Sequence, residues 1–163
     1  MTVLDSTTDP ATLTMTFVAE FDAAPEAVWQ VWEDPRKLER WWGPPTYPAT
    51  FTRHEFVEGG ECRYHMTGPE GDQHHAWWRI ESIGKPHTLE LTDGFAGDDG
   101  EPLPGDEPVT MRVTFEPTDG GTRMTTVTHF VSTEQLEKML EMGMQEGMRL
   151  AMGQIDAVLA SAA

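Results

Sequence analysis

The sequence predicts an α+β domain: a curved antiparallel β-sheet of about seven strands wrapped around a long C-terminal α-helix, with two short helices after the first strand. Three observations predict it. Residues 47–131 alternate apolar and polar positions in short runs parted by Gly- and Pro-rich turns, the pattern of strands joined by hairpins. Two brief runs at helical spacing, each opened by a proline, follow the first strand. Residues 133–159 then carry an apolar face at the helical period, wider than a helix merely resting on a sheet requires.

Residues 13–21 read as the first strand, with Met15, Phe17, Ala19 and Phe21 on one face. Asp22-Ala23-Ala24-Pro25-Glu26 stops it and opens a helix carrying Val28, Trp29 and Trp32, because Pro suits a first turn and Glu complements the helix dipole. Asp34-Pro35 starts a second helix, anchored by Leu38, Trp41 and Trp42 and ended by Gly43-Pro44-Pro45. Strands are then expected at 47–55, 61–67, 74–83, 87–92, 109–115 and 122–131. Met124 and Val127 break strict alternation in the last of these, which predicts a bulge near Thr125-Thr126. Ser132-Thr133-Glu134-Gln135 caps the final helix. Its face of Leu136, Leu140, Gly143, Gly147, Leu150, Ala151, Gln154 and Val158 is widened by Met144, Met148, Met152, Ile155 and Leu159. Residues 1–12 read as a flexible N-terminal segment and 13–160 as one domain.

The 163 residues suffice for a sizeable core, and no apolar run approaches the roughly 18 residues of a membrane span. Twenty-eight acidic against eleven basic residues give a net charge of −17, which repels phosphate backbones and anionic headgroups. Nucleic acid and membrane surfaces are therefore not expected partners. The excess acid serves solubility, and part of it, residues 93–107, reads as a solvated loop. Residues 1–10 lack the basic-then-apolar pattern of a secretory leader, and the single Cys62 can form no internal disulfide, so a cytoplasmic location is expected.

Phe21-Asp22-Ala23, Pro25-Glu26, Val28-Trp29, Asp34-Pro35 and Trp41-Trp42-Gly43-Pro44 resemble the opening of the SRPBCC (START-like, birch-pollen-allergen-like) superfamily. The nearest branch is the one named after the activator of the heat-shock-protein-90 ATPase. Gly59-Gly60, Gly94-Phe95-Ala96, Gly121-Thr122-Arg123 and Met142-Gly143-Met144-Gln145-Glu146-Gly147 continue the resemblance, which covers about residues 13–159. It implies the helix-grip fold with an internal pocket. Members are described as binders of lipids, hormones or polyketides, as cyclases or as co-chaperones, so fold alone leaves function open. The branch shares no catalytic set, and no catalytic residue is carried over.

The residues themselves narrow the choice. His74 and His75 are adjacent on a strand and point to opposite faces, and His54, His65 and His129 lie on other strands, so neither a metal nor a cofactor is expected. Cys62 shares a face with Tyr64 and Met66 and reads as a small buried hydrophobe, not a catalytic thiol. Gly59-Gly60 and Gly120-Gly121 sit in hairpins, so neither is a phosphate loop. Six Trp and ten Met are generous for this length; core packing accounts for most, and one member of each adjacent Trp pair is expected to face inward.

The candidates for lining a hollow between sheet and helix are Trp41, Tyr64, Met66, Trp78, Met111 and Phe115, with Met144 and Met148 from the helix. His129 and Gln154 are the polar candidates; a buried Gln154 needs a hydrogen-bond partner such as His129, Arg79, Tyr64, a water or a ligand. Gly143 and Gly147 on the buried helical face each cost about 1 kcal/mol against Ala, so either the sheet backbone approaches closely or space is kept there.

The expected function is binding of a small, largely apolar molecule (lipid, polyketide-like or aromatic) in that hollow, by a protein that is non-enzymatic or weakly enzymatic. One alternative is a cyclase or hydratase, with His65, His129, Arg79 and Glu81 as polar candidates, which requires a convergent polar pair in the pocket. Another is an interaction protein, chaperone-linked or a homodimer, using the outward Trp of each pair with Met148 and Met152.

Overall fold

The computed structural model describes residues 3–161. In chain order the elements are β1 (Val3–Asp9), β2 (Thr14–Phe21), α1 (Pro25–Glu33), α2 (Pro35–Leu38), β3 (Ala49–His54), β4 (Glu61–Thr67) and β5 (Gln73–Gly84). Then follow β6 (Thr88–Phe95), β7 (Val109–Pro117), β8 (Thr122–His129), α3 (Thr133–Glu141), α4 (Met144–Met152) and α5 (Ile155–Ser161). The strands form one sheet in the order β1-β2-β8-β7-β6-β5-β4-β3, antiparallel throughout. The helices cover one face, as the helix-grip expectation requires.

The sheet has eight strands, not seven. Most of the segment 1–12 supplies the additional one: Val3–Asp9 pairs with β2 at the sheet edge, while residues 1 and 2 lie outside the described residues. The turn into β2 is fixed locally, with Asp9 Oδ1 accepting from the Ala11 amide at 2.9 Å. A polar Ser-Thr-Thr run hides the strand from a hydrophobicity pattern because only its inner side is half-covered, where Gln145 Nε2 donates to Ser6 Oγ at 3.2 Å.

The bulge expected near Thr125-Thr126 is absent. β8 keeps an unshifted register against both β2 and β7, with Thr122, Met124, Thr126 and Thr128 all turned inward and buried. Threonine here occupies core positions, so the inward row is Met124 with its Thr neighbours and Val127 belongs to the other face. Register shifts occur instead in β3, between Phe51 and Arg53, and in β5, between Ile80 and Ser82.

The long C-terminal helix is three consecutive helical segments. Ser132 caps the first as expected, its Oγ accepting from the Gln135 amide at 3.1 Å. Gly143 ends it in the left-handed region at φ +83°, a conformation glycine adopts without a Cβ penalty. Met144, Met148, Ala151 and Ile155 turn toward the sheet, and Leu150, expected on the buried face, is 42% exposed.

The core is solid at the end where α1 and α2 lie. Trp29 meets Phe115 edge-on at 5.4 Å between ring centroids, and Trp32 lies against Trp41, Trp42 and Trp78. Trp41 donates its indole N–H to the Val31 carbonyl at 2.8 Å, which fixes the corner after α2. Phe115, Met111, Trp41 and Trp78 all belong to this packed region and are essentially inaccessible. Phe115→Ala is therefore expected to lower the unfolding free energy by about 3–5 kcal/mol in a urea titration. Native-state binding of small apolar probes should be unchanged.

Candidate functional site

Away from the tryptophans the sheet and helices separate, leaving a cavity of about 300 Å³. That is roughly ten times the volume share of a water molecule and lies at the lower end of ligand sites, about 300–1,000 Å³. Inward rows of the strands make the floor: Tyr64 and Met66 from β4, Ala76 from β5, Asp93 and Phe95 from β6 and Val109 from β7. Trp42 closes the end facing the core, and Gly43-Pro44 with Tyr47 forms one side. The roof is methionine and glycine: Met139, Met142, Gly143, Met144, Gly147 and Met148.

Gly147, inside α4, keeps this space open. A Cβ built on Gly147 would meet no atom within 4 Å, and the same holds at Gly143. Of the two explanations, close approach of the sheet and retained space, the geometry selects the second at Gly147, while the left-handed φ of Gly143 by itself calls for glycine. The rim on the far side is a loop held by the helix cap. Gln135 accepts from the Val131 amide through Oε1 at 2.8 Å and donates through Nε2 to the Glu107 carbonyl, placing Asp106 and Glu107 at the mouth. Met142 lies beside them, 60% exposed.

One polar pair interrupts the apolar floor. Tyr64 donates its hydroxyl to Asp93 Oδ1 at 2.9 Å. Burial pushes the Asp93 carboxyl up to about 7; the Tyr64 bond opposes the shift and the negative charge of Asp106 adds to it. Burial likewise holds the Tyr64 phenol well above its ordinary range, reinforced by the Asp93 charge. The indole N–H groups of Trp42 and Trp78 stand toward the phenol without reaching hydrogen-bond geometry, and no other acceptor meets them. Asp106 is occupied structurally, its Oδ2 accepting from the Phe95 amide at 2.9 Å.

Of the ten residues expected to line a hollow, the structure brings four to the cavity: Tyr64, Met66, Met144 and Met148. Trp41, Trp78, Met111 and Phe115 pack in the solid core instead, because the floor of the cavity lies further along the strands than their rows. His129 faces solvent on the outer side of β8, since the unbulged register puts odd positions outward. Gln154 is half-buried behind the cavity, donating to the carbonyls of Gly43 at 2.9 Å and Trp41 at 3.3 Å, so its partners are backbone and none of the side chains proposed.

The residues missed are Trp42, Asp93, Phe95, Asp106 and Met139. Asp93 had a signal: Leu89, Leu91 and Asp93 are successive inward positions of β6, and the strand runs on to Phe95 instead of ending at Thr92. Reading 93–107 wholly as a solvated loop hid it.

The other expected chemistry settles into structural roles. Cys62 is buried, and burial pushes its thiol up to about 12. His65 and His75 are cross-strand neighbours on the outer face at 5.3 Å between rings, with the His65 imidazole held below its ordinary value by burial and then by His75. Arg79 and Glu81 pair with one another on the outer face. Among the described residues no group of three or more His, Cys, Asp or Glu side chains could hold a metal ion, and no helix is long and apolar enough to cross a membrane. The expected Trp–Met surface patch does not form: Trp41, Trp42 and Met152 are buried, and Trp77 is half-buried, its ring lying over Gly94.

Residues 22–160 match the family model described as Activator of Hsp90 ATPase homolog 1-like protein. The chain is 51% identical to a protein from Arthrobacter aurescens of known solution structure, covering 98% of this chain and 93% of that one with a TM-score of 0.94. It is 42% identical to a Mycobacterium smegmatis protein of known crystal structure, covering 99% of both at a TM-score of 0.89. An AHSA1 protein from Silicibacter pomeroyi shares the fold at 22% identity, with a TM-score of 0.73 over 92% of this chain and 99% of that one. No curated protein matches the chain.

The raised Asp93 carboxyl makes stability depend on pH. Unfolded Asp ionises near its ordinary value of 3.8 and folded Asp93 only near 7, so between these values the folded state holds the extra proton. Its contribution is present below about pH 4 and lost as pH rises to about 7, at up to about 1.4 kcal/mol per pH unit. Asp93→Asn has no such proton to lose. Urea titrations across this range should show the variant gaining on the wild type with rising pH, then running parallel above about 7.

Proposed function

The chain belongs to the Activator of Hsp90 ATPase homolog 1-like family of the SRPBCC superfamily, and we propose that it works as a binder of a small, largely apolar molecule held between sheet and C-terminal helices. The observation that carries this reading is the glycine in the cavity roof at position 147. Gly147 sits inside α4, where Ala would be favoured by about 1 kcal/mol and where a Cβ would strike nothing. A helix position that forgoes a stabilising methyl beside empty space is explained when something other than the protein fills that space. The methionine roof supports the same reading, since unbranched thioether side chains repack around ligands of different outline. The volume fits a compact molecule, aromatic or cyclic, better than a long acyl chain.

A second reading has an observation of its own. A carboxyl that exchanges its proton near neutrality and is hydrogen-bonded to a tyrosine in an apolar cavity is suited to general acid–base work, as a cyclase or hydratase would need. The two readings part on the fate of the bound molecule. A binder returns it chemically unchanged after prolonged incubation, whereas an enzyme returns product.

Filling the cavity from the roof tests the binder directly. Gly147→Ala should raise stability by about 1 kcal/mol and leave room for a ligand. Gly147→Leu should fold comparably and reduce binding of a fluorescent apolar probe at least about tenfold by occupying the space. Unaltered probe binding in the leucine variant would place the binding elsewhere and overturn the reading.

A further inference from the structure

We infer that the cavity selects molecules carrying an amine on a compact apolar body, with Asp93 Oδ2 as the acceptor of that amine, and that it rejects carboxylate-bearing molecules such as fatty acids. This rests on the binder reading above and names its ligand class. Three observations converge on it.

The first is the charge of the lining. Its carboxylates are Asp93, Asp106 and Glu107, and no Lys or Arg is among the lining residues. Neither histidine reaches over the floor: His74 is exposed at the rim with Nε2 on Asp72 at 2.9 Å, and His75 lies beside His65 on the outer side of the sheet, 5.3 Å between rings. An anionic head entering this space would be desolvated without a partner. Outside it, a net charge of −17 attracts cations to the mouth and repels anions.

The second is the direction of the hydrogen bonds. Trp42 and Trp78 turn their N–H groups toward the Tyr64 hydroxyl, and Tyr64 turns its own proton onto Asp93 Oδ1. The phenol proton is thus committed to Asp93, and both indole nitrogens, though unpaired, are buried beneath the lining and offer a ligand no accessible donor. What remains at the end of the chain is an acceptor, Asp93 Oδ2, which takes no hydrogen bond among the described residues. A ligand completes this arrangement by donating, not by accepting.

The third is the wall around that oxygen. Trp42 and Tyr64 present aromatic surface, and Met66, Met144 and Met148 present polarizable thioethers. Rings of this kind favour a cation beside them. A buried carboxylate in apolar surroundings favours it further, because the charge-assisted bond forms where water competes least. The titratable groups around Asp93 are Tyr64 from β4, Asp106 and Glu107 from the rim loop and His74 from the rim end of β5, while His75 points to the outer face. Tyr64 stays protonated, and burial together with the Asp106 charge opposes ionisation of Asp93 until a cation arrives.

The test uses three molecules of one skeleton on the intact chain: naphthylmethylamine, naphthylmethanol and naphthoic acid, titrated by calorimetry against wild type and Asp93→Asn. The wild type should bind the amine at least about tenfold more tightly than the alcohol at about pH 8, the expected margin for a hydrogen bond to a charged group. The acid should bind most weakly. The preference for the amine should shrink toward about pH 6 as Asp93 takes up its proton, and Asp93→Asn should abolish it while still binding the alcohol, which shows the variant's cavity intact. Equal binding of amine and alcohol, or an amine preference that survives in Asp93→Asn, overturns this inference and leaves the binder reading standing. Failure of all three to bind wild type overturns the binder reading itself, and the inference with it.

Discussion

Trp32 touches Trp41, Trp42 and Trp78 at ring separations of 4.8, 5.8 and 6.1 Å, and Trp42 meets Trp78 edge-on at 4.9 Å. This cluster fastens the two short helices to the concave side of the sheet. A curved sheet gripping a helix leaves a wedge-shaped gap, and large rigid rings fill it at one end only. Because Trp42 stands at the boundary, one indole face completes the packed core and the other walls the cavity. The hollow is therefore a consequence of where the tryptophans stop, and its dimensions depend on their staying in place.

The other end is built from residues that do not fill space. Gly143 breaks the helix in a left-handed turn, Gly147 omits a side chain, and the neighbouring Met144 and Met148 are unbranched. In the same region a carboxyl is taken out of bulk water against a tyrosine. Each of these choices is less stable than an obvious replacement: Ala at 147, a branched aliphatic for a methionine, Asn at 93. Their concentration around one cavity is the pattern expected where stability is given up for a site.

Much of this was legible in the sequence, and the failures have definite causes. Period-two alternation in residues 109–115 and the Ser132 cap gave strand and helix correctly because side-chain burial and local hydrogen bonding both follow chain order. Strand β1 escaped because an edge strand needs little apolar surface, and β8 was misregistered because its buried inward row contains three threonines. Past Gly143 the helix wheel placed Ala151, Met152, Ile155 and Val158 in the core correctly and misplaced Leu150, which the breaks in the helix leave exposed. Met144, Met148, Tyr64 and Met66 could be found by facing alone. Choosing between Trp41 and Trp42, or seeing that Asp93 belongs to the floor, required knowing where along the strands the packed core ends, and that is a tertiary property.

Native mass spectrometry of the protein purified from its own cells, followed by solvent extraction of whatever accompanies it, addresses the central claim most directly. The account predicts a stoichiometric small molecule with an apolar body, released intact on extraction and lost when Gly147 is replaced by Leu. A chain that flies at its bare mass, and that also takes up no apolar probe once purified, would contradict it and leave the cavity as a packing defect.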